Sequence, residues 1–249
     1  MGVSIITAVY NGVQTISDCI ESIQNQSCPV EHIIIDGGST DGTIDIIEEY
    51  KSDIARVVSE PDNGIYDAMN KGIQLVSGDI VGILNADDFY ADSTVLEKVA
   101  DAFADKSIGS CYGDLQYVGK NDTKKVIRYW KSSKYKHGKF KYGWMPPHPT
   151  FFVRRSIYEK FGFFNLELGS AADYELMLRF LLKHKITTTY IPKVLVKMRA
   201  GGMSNASLKN RLKANRMDRL AWKVNSLKPL PWTLWMKPFR KIHQYFRRP

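Results

Sequence analysis

Within the first 106 residues, four short β-branched runs each lead through a polar loop into a segment with helical periodicity. The runs are Val3–Val9, His32–Ile35, Arg56–Ser59 and Ile80–Leu84. Ile16, Cys19, Ile20 and Ile23 follow the first at i, i+3, i+4 and i+7, one apolar face of a helix. Ile44 and Ile47 start the second helix. Ala68, Met69, Gly72, Ile73 and Val76 mark the third, which Gly78 stops. Thr94 and Glu97 form a capping box ahead of a fourth that buries Leu96, Val99 and Phe103. Strand and helix in strict alternation predict an α/β fold, a doubly wound and mostly parallel sheet.

The pattern changes after Ser107. Ile108–Val118 and Lys124–Trp130 read as a hairpin, and Thr150–Val153 as a further strand. Between them lies a stretch of interleaved Lys, Tyr, Phe and Trp up to Trp144. Asp173–His184 has helical spacing, and Thr187–Met198 is extended but interrupted by Pro192, which predicts an edge or a loop there. A chain of 249 residues fits one full-sized domain with an appendage. The natural boundary is a body of residues 1–208, divided into halves 1–106 and 107–208, and a basic aromatic helical tail over 209–249.

Parallel strands place all their carboxyl ends on one sheet edge, where open α/β sheets bind ligands. Three polar clusters follow predicted strands: Tyr10-Asn11-Gly12, Asp36 to Gly42, and Asn85-Ala86-Asp87-Asp88. Adjacent carboxylates repel and resist burial unless a cation or a shared proton relieves them. A hard, oxygen-liganded ion such as Mg²⁺ or Mn²⁺ meets that need; an exposed turn is the plainer alternative. No G-x-G-x-x-G follows the first strand and no G-x-x-x-x-G-K-[ST] occurs, so dinucleotide and P-loop chemistry are not expected. An Asp at a strand end suits a base N–H or a sugar hydroxyl, with a metal handling phosphates.

Val3 to Asn11, Ile33 to Thr43, Ala68-Met69-Asn70-Lys71-Gly72 and Leu84 to Asp88, in this order and spacing, resemble the inverting family 2 glycosyltransferases. His148 to Arg155 and Gly169 to Arg179 match more loosely. The resemblance implies a GT-A fold, a nucleotide-sugar donor and a divalent metal, Mn²⁺ or Mg²⁺. It makes 1–106 the nucleotide-binding half and 107–208 the acceptor half. Thr7, Val9, Asn11 and Asp36 would line the nucleoside pocket. The family has Asp-Asp where this chain has Asp36-Gly37, and Asp-x-Asp where it has Asn85-Ala86-Asp87. Asp87 is therefore the expected direct metal ligand, with Asn85 and Asp88 beside the donor. Asp173 falls in register with the catalytic base, although the usual preceding Glu is Ala172. A helix cap is the plainer role for Asp173, and Glu175 the alternative acid. His148, Arg155, Gly202 and Ser204 are expected near the diphosphate or the acceptor, the last two in a covering loop.

The tail from Lys209 to Pro249 holds 12 Lys and Arg against the single acid Asp218. That exceeds the whole chain's net charge of +9, so the body is slightly acidic. Trp222, Trp232, Trp235, Phe239, Tyr245 and Phe246 lie among these cations, a composition suited to an anionic membrane surface. A helix packed on the domain would also account for it. With no recognition motif, nucleic acid is not an expected partner. No apolar run approaches a membrane span, no secretory leader is evident, and three scattered cysteines suggest a reducing compartment. These features predict a cytoplasmic enzyme held at the inner face of the membrane. Its expected acceptor is a growing glycan on a polyprenyl diphosphate, its donor UDP-linked, as in bacterial polysaccharide or O-antigen assembly. The rival readings are a Mg²⁺-dependent phosphoryl-transfer enzyme and a non-catalytic sugar or nucleic-acid binding module.

Overall fold

The computed structural model describes residues 1–201, 208–242 and 244, without the side chains of 208–214 and 241–242. The first four strands are β1 (Val3–Val9), β2 (Val30–Asp36), β3 (Arg56–Ser59) and β4 (Ile80–Ile83). They are joined by α1 (Ile16–Gln24), α2 (Thr43–Glu49) and α3 (Ile65–Leu75), as the periodicity predicts. All four pair in parallel, in the order β3-β2-β1-β4. Every residue of β1 is buried, because α3 covers one face of the sheet and α1 with α4 (Val95–Ala102) the other. A strand buried on both faces has no reason to alternate, hence its continuous apolar run.

Close approach fixes the α3 face. A Cβ added at Gly72 would stand 2.4 Å from Ile6 Cγ2 on β1. Gly to Ala inside an exposed helix gains about 1 kcal/mol. Here the overpacking, typically about 1–3 kcal/mol, should reverse the sign. Gly72→Ala is expected to lower the urea midpoint; a raised midpoint would show that α3 can move away at no cost.

The second half completes the sheet with β5 (Asp88–Tyr90), β6 (Ser110–Val118), β7 (Val126–Trp130), β8 (Phe152–Arg154) and β9 (Thr188–Arg199). The order β3-β2-β1-β4-β8-β6-β9-β5, with β7 on β6, makes a mixed but mostly parallel sheet. β9 pairs with β6 along its length, while β5 reaches only Val196–Met198, so around Pro192 β9 is an edge, as the sequence predicts. The register slips from Tyr112↔Tyr190 to Asp114↔Val194, and this bulge takes the proline that a regular ladder would exclude. One element differs from the sequence reading. Asp88, expected in a loop, begins β5 and pairs with Met198.

β8 positions the site. It runs antiparallel to β4, with Val81 opposite Val153 and Ile80 opposite Arg154. Residues ahead of β8 therefore emerge beyond the carboxyl end of β4, and residues after it return to the amino end. The remaining helices of the body are α5 (Arg155–Phe161) and α6 (Ala172–Met177), the latter continuing as a wider π turn over Leu178–Lys183.

The described part of the tail packs on the body. It forms α7 (Leu208–Val224) and α8 (Thr233–Ile242). Trp222 is 1% exposed and donates its indole N–H to the Tyr174 hydroxyl at 3.0 Å. Asn225 donates to Glu175 Oε1 at 2.9 Å, and Thr233 to the Lys141 carbonyl at 2.6 Å. Among the described residues, no helix is long and apolar enough to cross a membrane.

Candidate active site

The three strand-end clusters meet at one edge, stitched by hydrogen bonds between loops. Asn11, at φ 52°, accepts the Thr40 amide at 2.9 Å and donates its own amide to Ser39 Oγ at 2.8 Å. Asp36 is fully buried. Its Oδ2 accepts from the Gly38 and Ser39 amides, each at 3.0 Å, and from Ser59 Oγ at 2.7 Å. Its Oδ1 is buried with no partner. That oxygen is a fixed acceptor at the carboxyl end of β2. An unpaired buried acceptor costs about 1–3 kcal/mol, which a ligand N–H could offset.

Gly37 stands where the resemblance expects a second Asp, and the structure shows what fills the space. A Cβ at Gly37 would lie 2.5 Å from Asp62 Oδ2. Asp62, from the loop after β3, thus brings a carboxylate to this point from another part of the chain. Sequence reading passed over it because Pro61-Asp62-Asn63-Gly64 scans as an ordinary turn.

Thr7 and Val9 lie elsewhere than the resemblance implies. Both are buried, Thr7 with its hydroxyl 3.0 Å from His32 Nε2 and Val9 packed with Ile16 and Ile20. Helices cover both faces of β1, so both side chains are enclosed. Only the loop beyond them, at Asn11, reaches the edge.

Asn85, Asp87 and Asp88 cluster at the end of β4. Asp88 is fully buried and accepts from Asn85 Nδ2 at 3.1 Å. Burial, and then the Asp87 charge, push its carboxyl well above the usual range. Asp87 is half-buried, and burial raises it too, partly offset by Arg199. Arg199 was missed by sequence reading. It closes β9, is 6% exposed, donates to the Asp87 carbonyl at 2.9 Å and pairs with Asp18 of α1. Nothing local signals this role, since the partners lie more than 100 positions away in the chain.

The donor set suits a hard divalent ion. Asn85 Oδ1 and Asp88 Oδ1 are buried oxygens without partners, next to the half-buried carboxylate of Asp87. The described residues hold no group of three or more His, Cys, Asp or Glu arranged for a metal. Mg²⁺ and Mn²⁺ commonly rest on one or two carboxylates and take further oxygens from phosphates, so this set fits that mode.

Asp173 lies in the first turn of α6, whose N-cap is Ala171. It is therefore not the helix cap that the plainer reading assigns. Its Oδ2 is 3.0 Å from His148 Nδ1, and Oδ1 accepts the Tyr174 amide at 2.7 Å. Tyr66, at the start of α3, lies close by: burial, and then the Asp173 charge, push its hydroxyl well above the usual range. Burial raises the Asp173 carboxyl, but the His148 charge and hydrogen bond outweigh burial and hold it below the usual range. The result is a carboxylate that stays ionised in a partly shielded place, 14% exposed.

His148 precedes β8 and so reaches the carboxyl edge of the sheet. Arg155 follows β8 and does not. Its amide donates to the Asp79 carbonyl at the amino end of β4, and its side chain pairs with Glu159 at 3.6 Å. The expectation that Arg155 meets the diphosphate or acceptor is corrected by the direction of β8. Glu175 is 3% exposed and shared between Arg179, at 2.9 Å, and Asn225, a structural role. Gly202 and Ser204 lie outside the described residues.

His148→Gln should therefore shift the acid limb of the pH–rate profile. Without the imidazole, burial dominates and the Asp173 carboxyl rises, which moves the acid limb to higher pH. An unmoved limb would detach His148 from Asp173.

The description "Glycosyl transferase family 2" belongs to a family model that matches residues 4–162. An uncharacterized glycosyltransferase of Mycobacterium tuberculosis is 32% identical over 185 residues, covering 72% of this chain and 69% of that protein. A PGL/p-HBAD biosynthesis glycosyltransferase of Mycobacterium bovis is 29% identical over 208 residues, 81% of this chain and 78% of the other. The fold is similar to S. aureus TarS 1-349 in complex with UDP-GlcNAc, with a TM-score of 0.70 and 20% identity. That match covers 90% of this chain and 66% of the TarS chain. Mannosyltransferase PcManGT from Pyrobaculum calidifontis, in complex with GDP-Man and Mn²⁺, matches with a TM-score of 0.67, 20% identity, and coverage of 95% and 69%. Matched over more than half its length by the family model, with its strand-end loops and Asp173 gathered on a GT-A sheet, the chain belongs to glycosyltransferase family 2.

Proposed function

We propose that the protein is a metal-dependent inverting glycosyltransferase that moves one sugar from a UDP-linked donor to a growing glycan on a polyprenyl diphosphate. The single observation that carries the mechanism is Asp173, ionised and held by His148 and the Tyr174 amide at the same sheet edge as the strand-end loops. An acceptor hydroxyl gives its proton to Asp173 as its oxygen attacks the anomeric carbon. A C–O bond forms there while the bond to the nucleoside diphosphate breaks on the opposite side, which inverts the centre. His148 and the Tyr174 amide orient the carboxylate. The buried free oxygen of Asp36, with Asp62 beside Gly37, suits the N–H edge of a base. Asp87, with Asn85 and Asp88 close by, would hold Mn²⁺ or Mg²⁺, which as a Lewis acid offsets charge on the departing diphosphate.

The UDP-GlcNAc complex of TarS supports the uridine donor. The lipid-linked acceptor and a place at the inner face of the membrane are supported by the tail. Trp232, Trp235 and Phe239 are 49%, 68% and 66% exposed, at spacings of three and four that put them on one face. Exposed aromatics among Lys and Arg suit the headgroup level of an anionic bilayer. Transfer of labelled sugar from UDP-sugars into lipid-extractable product tests the activity. Co-sedimentation with anionic vesicles tests the surface, and Trp235→Ser with Phe239→Ser should weaken it. A wild-type protein that stays in the supernatant at physiological salt would remove the membrane from this account.

A further inference from the structure

A cavity of about 240 Å³ lies between the segment after β7 and α8, and the transfer mechanism above makes no use of it. Its wall includes Trp130, Lys131, Ser132 and Trp144 on one side and Lys237, Arg240 and Gln244 on the other. Among the described residues, no carboxylate lines it. The segment explains why: from Thr123 to Tyr158 the chain contains no Asp or Glu, and eight Lys and Arg fall between Lys124 and Lys141. Lys237 shares Asp218 at 2.6 Å, and Arg240 spends one N–H on the Tyr142 carbonyl at 2.8 Å, which fixes its guanidinium. Nearby Lys139 is pushed below the usual lysine range by burial and then by the charges of Arg240 and Lys136. Cations crowded in this way mark a place that would gain from an anion.

Two further polar atoms in the wall have no partner among the described residues. Ser132 is 8% exposed and Gln244 5%, and Ser132 Oγ and Gln244 Oε1 are buried without a hydrogen bond. A hydroxyl donates to an oxyanion directly, and a terminal amide can turn either its NH₂ or its oxygen inward. Lys, Arg, Ser and amide donors around a small volume form a set suited to phosphoryl oxygens, which take several charge-assisted bonds at once.

The cavity adjoins the proposed base. Lys237 Nζ stands 3.5 Å from the centre of the Tyr174 ring, the residue after Asp173, and its charge helps keep Asp173 ionised. The cavity wall contains no residue of the donor loops after β1, β2 and β4. On α8, Lys237 and Arg240 share one face by their spacing, with Gln244 beyond the helix in the same wall, while Trp235 and Phe239 occupy another. One helix thus presents anion-binding groups inward and aromatic rings outward.

We infer that this cavity binds the phosphoryl group of an anionic acceptor, and that a lipid diphosphate is the class it fits. The inference rests on the glycosyl-transfer reading and adds to it a binding subsite in the acceptor half, built partly from the tail. A lipid diphosphate and free pyrophosphate share the recognised chemistry, and the lipid is favoured by the exposed aromatic face of the same helix.

The full chain, in EDTA at about 0.15 M salt, is titrated with inorganic pyrophosphate, farnesyl diphosphate, farnesol and glucuronate. Trp130 and Trp144 in the wall report binding by their fluorescence. Without metal the acidic donor edge repels diphosphates, so the signal belongs to the cavity. Pyrophosphate and farnesyl diphosphate should both bind, the latter more tightly, and farnesol and glucuronate weakly. Lys131→Ala with Arg240→Gln should weaken both diphosphates at least about ten-fold, and Ser132→Ala, which changes no charge, about ten-fold. Lys124→Ala with Lys125→Ala should leave both unchanged. The proposal is overturned if pyrophosphate does not bind, if glucuronate binds as well, if neither cavity variant weakens binding, or if the control weakens it equally. UDP with Mn²⁺ is titrated in parallel. Its failure in the wild type would count against the donor reading, and the pyrophosphate result would still decide the cavity.

Discussion

Asp173→Asn is expected to lower kcat by about 10²–10⁴-fold, the usual range for a positioned general base, while leaving the Kd for donor nucleotide within a factor of two or so. The amide keeps the volume and its oxygen can still accept the Tyr174 amide, so the fold should hold. What it loses is the lone pair that takes the acceptor proton and the charge that His148 complements. Asp173 can serve as a base because its environment keeps it ionised: burial alone would protonate it, and the His148 charge reverses that. Glu175 offers no substitute, since Arg179 and Asn225 already hold its carboxylate. Normal turnover in the variant would send the base elsewhere. A binding module would show no change at all.

Asp87→Asn should separate activity from stability. Metal-supported turnover is expected to fall by about 100-fold or more, because changes one shell further out in metal sites already cost about 10–100-fold. Asp88 cannot compensate: it is fully buried, anchored in β5 and paired with Asn85. Without metal and donor, the variant should melt no lower than the wild type. Burial penalises the Asp87 carboxylate, and its charge in turn raises Asp88, so a neutral amide relieves both. A lower melting temperature together with intact metal-dependent activity would recast Asp87 as a structural residue.

The parallel half of the fold was legible because its determinants are local. Apolar runs such as Val3–Val9 and faces such as Ala68, Met69, Gly72 and Ile73 report on their own elements. What escaped depends on pairing direction and on distant neighbours. Arg155 and His148 lie seven positions apart in the sequence, yet the antiparallel setting of β8 sends them to opposite ends of β4. Pro192 marks an edge, and β5 does stop short of it, but the bulge against β6 is not visible in the sequence. Thr7 and Val9 lie four and two positions before Asn11, within a strand covered on both faces.

The missed residues follow the same rule. Tyr66, Asp62 and Arg199 each reach the site from a segment whose own pattern is unremarkable to the eye: a helix start, a turn and a strand end. The tail was read as a surface element from composition, and composition cannot tell the inward face of α8 from the outward one. Leu234 is buried while Trp235 is mostly exposed. One helix carries both readings, and only its docking on Lys141 and Tyr142 separates them.

The most direct test of the account is a calorimetric titration of the full chain with UDP and with GDP, each with and without Mn²⁺. The account predicts that UDP binds, that binding needs Mn²⁺, and that GDP binds more weakly. Binding of neither nucleotide under any of these conditions would contradict the proposed donor site at Asp36, Asn85 and Asp87.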